Sequence, residues 1–269
     1  MNFSNATVKI TAKSTLKNKY TSGIITAAIF VFAYIVCYYC GAFLYSLGSP
    51  AAATISLICL FAFLILPLIA GYVYWGVRLA FFGENEPVLM FKYFSSKENY
   101  LKALKFSFLI TGNGLFVGFL LSLPCILVSL IASGKLFVML GLKIPLWASS
   151  FDTVRTVFVI AAILLFFLIM LKYYLAPFLM AADEDMDPLE AVHMSKIISV
   201  RSKRNFLWLI LGFLPHIIAC VFVIPIIFLF PYFNLSYVVY CRFAVAAYNI
   251  SVDKTNKANI PSFDADISF

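Results

Sequence analysis

Charge is what this sequence has least of. Asp, Glu, Lys and Arg make up 12% of its 269 residues, whereas hydrophobic residues make up 63%. A soluble domain carries about 25% charged and about 50% apolar residues, so a water-exposed globule is excluded and a bilayer protein is implied. Catalytic patterns are missing too: there is no Walker-type loop, nucleophile elbow or HExxH, and no His or carboxylate pair at ligand spacing within the apolar stretches. The acids Asp183, Glu184, Asp185 and Asp187 lack the spacing of a calcium loop and read as a solvated turn. These absences predict a non-enzymatic chain with no cofactor and no metal.

The six cysteines, Cys37, Cys40, Cys59, Cys125, Cys220 and Cys241, all fall in apolar stretches. Cys37-Tyr-Tyr-Cys40 has redox or ligand spacing, but no second pair accompanies it, so the thiols read as small apolar residues.

What the sequence does have is four blocks almost free of charge, at 20–77, 106–134, 156–171 and 205–241. A crossing helix needs about 20 apolar residues. The first and last blocks therefore hold helical hairpins, broken at Gly48-Ser49-Pro50 and at Ile224-Pro225. The expected architecture is an all-α polytopic bundle of about six spans, at 21–45, 52–77, 106–132, 157–181, 206–223 and 226–248. Pro215, Pro225 and Pro231 also allow the last two to form a kinked or re-entrant pair.

Lys and Arg gather on one side of these spans: Lys9, Lys13, Lys17 and Lys19; then Arg78, Lys92, Lys97, Lys102 and Lys105; then Lys172 and its loop; then Arg242, Lys254 and Lys257. Only Lys135, Lys143 and Arg155 fall on the other side. The positive-inside rule then places both termini in the cytoplasm of a multi-pass plasma-membrane protein. The net charge of +8 faces anionic inner-leaflet lipid, which is the expected partner, and nucleic acid is not required. The first apolar stretch is too long for a cleavable signal and reads as retained.

Val8, Ala12, Leu16 and Tyr20 recur at spacing four beside a lysine stripe, the pattern of an interfacial amphipathic helix. A similar stretch runs through Phe91, Phe94, Leu101 and Leu104, and a third follows Asp187-Pro188. One transmembrane domain over 1–250 is thus expected to hold three units of amphipathic helix plus hairpin, at about 7–82, 86–182 and 187–249. A flexible tail covers 251–269.

The segment 172–208 links these units. Asp187 as N-cap, Pro188 at the first helical position and Glu190 near the dipole's positive end predict a helix start. That helix should carry Leu189, Val192, Ile197 and Val200 on one side and Lys196, Arg201, Lys203 and Arg204 at its end. Together with Asp183, Glu184, Asp185 and Asp187, these cations form a candidate partner-docking loop. Arg78, Lys172 and Arg242 end the second, fourth and sixth spans, where they either snorkel to water or converge on an anionic headgroup. His216 after Pro215, Asn113 and Asn234 read as intramembrane hydrogen-bonding groups.

Several of these residues carry a resemblance: Tyr173-Tyr-Leu-Ala-Pro177-Phe-Leu, the acidic turn, Glu190-Ala-Val-His-Met-Ser195-Lys196, Asn205-Phe206-Leu-Trp208, Pro231-Tyr-Phe, and Ala12-Lys13-Ser-Thr-Leu16-Lys-Asn18-Lys-Tyr20. Through them the chain resembles a bacterial integral membrane protein family, domain of unknown function 975, and more distantly the membrane domain of some glycerophosphodiester phosphodiesterases. The resemblance implies a polytopic membrane protein with no assigned activity. It does not bring phosphodiesterase activity, because the catalytic barrel is absent. The reading is a membrane scaffold or accessory factor in envelope or transport processes, with a membrane-protein partner; the alternative is a small transporter or lipid-handling protein.

Overall fold

The computed structural model describes residues 4–17, 19–133, 151–219 and 223–255. Lys135 and Lys143, expected in an outer loop, Cys220, and residues 256–269 of the expected tail lie outside this set. Every regular element described is a helix, and five are long and apolar enough to cross a membrane. The all-α polytopic expectation therefore holds.

Two hairpins carry most of the apolar mass. In the first, α2 (Tyr20–Ser46) turns at Leu47–Ser49 into α3 (Pro50–Phe82), which contains π-helical turns at Phe61–Ile65 and Arg78–Phe82. In the second, α4 (Lys97–Ala132) pairs with α5 (Phe151–Met170), Met170 and Phe166 lying against Gly114 and Gly118. Only 6% of the apolar stretch of either arm of this second hairpin is buried inside the protein. Side chains such as Phe116, Phe119, Ile163 and Leu164 are exposed, which suits a helix solvated by acyl chains.

The packed core sits instead at the basic end of the hairpins. About 20 residues cover a hydrocarbon layer, so the span starting at Pro50 is complete near Ala70, and α3 projects onward for three turns. Around this projection pack α1 (Asn5–Leu16), the 3₁₀ segment Pro87–Phe94, α6 (Ala176–Ala182), α7 (Pro188–Leu211) and the later part of α9 (Val223–Thr255). The Met90 carbonyl lies so close to Gly71 that a Cβ there would overlap it.

Three expectations change. The stripe Val8, Ala12 and Leu16 is 0% exposed because it packs on α9 and its neighbours, so protein rather than lipid covers it. Lys9 seals the arrangement, donating to the Gly212 carbonyl at 2.7 Å and sitting 4.5 Å from the Phe213 ring centroid. The expected second amphipathic helix splits, since Ser96 caps the Asn99 amide and starts α4 anew.

The third change concerns the expected span 206–223. Its first residues complete α7, the chain turns at Gly212 and Phe213, and α8 (Leu214–Ala219) follows; residues 220–222 are outside the described set. The last apolar helix is 50% buried and has the lowest hydropathy of the five. Its contacts explain this: Pro231 meets Gly23, Val238 meets Gly76, and Arg242 stacks on Phe81, all beyond the projected hydrocarbon edge. The helix continues to Thr255, so the expected tail begins as helix.

Candidate functional site

The acidic turn is held by lysines of the preceding unit. Glu184 accepts from Tyr74 Oη at 2.6 Å and from Lys92 Nζ at 2.8 Å, while Lys102 donates to its backbone carbonyl. Lys105 Nζ lies 2.6 Å from Asp187 Oδ1, and the other oxygen of Asp187 caps the Leu189 amide at 3.1 Å, as expected of an N-cap. Asp183 accepts from the Asp185 amide. Lys92 and then Tyr74 hold the Glu184 carboxyl below its ordinary value, and Lys105 does the same for Asp187. Nearby, burial pushes the Tyr93 phenol up. The carboxylates of Asp183, Glu184 and Asp187, expected to meet a partner, thus accept bonds from within the chain. Their partners Lys92, Lys102, Lys105 and Tyr74 could not be selected from sequence, since they lie about one unit upstream.

The basic part of the loop is presented outward. Helix α7 turns Ala191, Val192, Ser195, Ile198, Ser199, Ser202, Phe206 and Leu209 inward. Val192 therefore leaves the side expected of it, and Leu189, Ile197, Val200 (69% exposed), Trp208 (62%) and Leu211 form the outer face with Arg204 among them. Lys196, Arg201 and Lys203 flank it. An apolar stripe edged by cations and bearing a Trp is the profile of a helix at a membrane surface.

The inward serines have defined work. Ser195 Oγ accepts from the Leu175 amide at 3.1 Å and donates to the Lys172 carbonyl at 3.0 Å, satisfying backbone where the 3₁₀ turn Leu171–Tyr173 breaks the helix. Ser202 Oγ accepts from Tyr174 Oη, and its carbonyl from Tyr240 Oη, which joins α7 to α9.

Arg78, Lys172 and Arg242 each lie against a different aromatic ring. Arg78 forms a two-pronged pair with Glu84, one bond being 2.9 Å from Nε, and lies 4.3 Å from the Phe82 ring. Arg242 lies 4.6 Å from the Phe81 ring. The ammonium groups of Lys172 and Lys196 are 4.9 and 5.4 Å from the centroid of Tyr173. Asn113 Oδ1 fixes that ring by accepting from Tyr173 Oη at 2.9 Å. His216 is exposed, and its backbone amide bonds the Phe213 carbonyl.

Two open depressions of about 430 and 410 Å³ lie on this end, one beside Asp187, His193 and Lys196, the other beside Val88, Phe91 and Lys92. Among the described residues no cluster of His, Cys, Asp and Glu is placed to hold a metal, and the five cysteines described are free thiols. Comparison with family models, curated proteins and solved structures finds no match.

Proposed function

We propose that this chain is a non-enzymatic membrane scaffold: two helical hairpins anchor a packed helical platform on the cytoplasmic side of the plasma membrane, for a membrane-protein partner to use. The cationic end faces the anionic leaflet by the positive-inside rule, with both termini cytoplasmic. One observation carries the reading, the separation of roles along the hairpins. Their membrane-level surfaces are largely apolar and outward, while the side chain of Asn113 is spent on Tyr173 and that of Thr26 on the Ser22 carbonyl. A transport path would require polar groups turned toward a shared passage.

In-cell crosslinking followed by gentle detergent purification and mass spectrometry tests this. A stoichiometric protein partner crosslinked through the platform is the expected result. A partner-free protein that retains one defined solute would overturn it in favour of the transport or lipid-handling alternative.

A further inference from the structure

Lys172 and Lys196 approach one ring, that of Tyr173. The charge-free run 156–171 ends at Lys172, which places its ammonium at the hydrocarbon edge, the height of lipid phosphates. Lys196 reaches the same ring from α7, and the serine next to it, Ser195, ties the two backbones together. Two like charges thus meet at one aromatic side chain that is 3% exposed. Salt bridges of this end join Arg78 to Glu84, Lys92 to Glu184 and Lys105 to Asp187; among the described residues neither Lys172 nor Lys196 takes part in one. The nearest acids on the same helix, Asp187 and Glu190, share a depression with Lys196, but Asp187 is committed to Lys105.

We infer that Lys172 and Lys196 bind the phosphate of an anionic phospholipid at the Tyr173 ring that both approach. A phosphodiester carries one negative charge, which two ammonium groups attract and which in turn offsets the repulsion between them. The bonded Tyr173 hydroxyl keeps the ring from turning away. Beside the site, the exposed apolar surface of α4 and α5, including Leu115, Phe116 and Phe167, provides a track for the acyl chains. A lipid is favoured over free phosphate because exposed Leu115 and Phe116 follow Asn113 on α4, and exposed Phe167 precedes Lys172 by five positions. The inference concerns lipid occupancy and does not depend on the scaffold reading.

Delipidated full-length protein would be titrated with phosphatidylglycerol and with phosphatidylcholine, and bound lipid counted by native mass spectrometry. Wild type should hold one phosphatidylglycerol per chain in preference to phosphatidylcholine. Lys172→Gln with Lys196→Gln should weaken this by about 30-fold, and Lys172→Arg with Lys196→Arg should restore most of it. Lys203→Gln serves as the control for diffuse attraction and should change little. The inference fails if the Gln pair binds like wild type, if Lys203→Gln loses as much, or if inorganic phosphate displaces the lipid at equal concentration. Unchanged partner crosslinking in the Gln pair would leave the scaffold reading intact in any of these cases.

Discussion

Asn234 Nδ2 donates to the backbone carbonyl of Tyr72 at 2.8 Å, joining two helices across 162 positions of sequence. A helical carbonyl has a second lone pair to accept it, and Gly76, one turn on, leaves the space: a Cβ there would sit 2.8 Å from the same nitrogen. The bond fixes the register of α9 on the projecting end of α3.

Asn234→Leu should therefore cost about 1–2 kcal/mol, and Gly76→Ala about 1–3 kcal/mol through overpacking. Thermal unfolding in detergent reads both. Wild-type melting in both variants would show that the contact does not hold the platform.

The N-terminal helix is an integral part of the core. Leu16→Ala should destabilise by about 2–5 kcal/mol, because the side chain is 0% exposed against protein. A helix merely resting on lipid would lose membrane affinity and leave the melting temperature unmoved, and that outcome would separate the two arrangements.

Topology follows from the same packing. Since α1 and the later part of α9 share one core, reporters fused before Asn5 and after Thr255 should read the same side of the membrane. Opposite sides would mean that α9 crosses.

The latch between the acidic turn and the upstream lysines should respond to pH. Glu184 and Asp187 have folded-state values below their ordinary ones, so their contribution is present above the unfolded value of about 4 and lost as pH falls through the folded value. The Lys92–Glu184 side chains are 31% and 49% exposed, which limits the pair to below about 1 kcal/mol. Glu184→Gln should flatten the acid limb of stability against pH; an unaltered limb would assign it to other carboxylates.

Much of the site was visible in sequence as residue types and not as partnerships. Asp187-Pro188 announced the start of α7, and the N-cap bond to Leu189 is present. Lys172 marked a span end, but Lys196 stands beyond a helix break that the Ser195 bridge spans. Arg78 and Arg242 carried the same signal as Lys172, yet each found a different aromatic ring.

By itself, the sequence determined the medium and the element type. Long charge-free runs demand a bilayer, and a bilayer demands that each backbone bond itself, which leaves helices. Tertiary structure alone decided what covers each apolar face. Val8, Ala12 and Leu16 show the same spacing whether lipid or helix lies against them, and the last apolar run is long enough to cross. Hydropathy measures the transfer of a residue out of water; acyl chains and packed side chains remove water equally well, so only the contacts distinguish them.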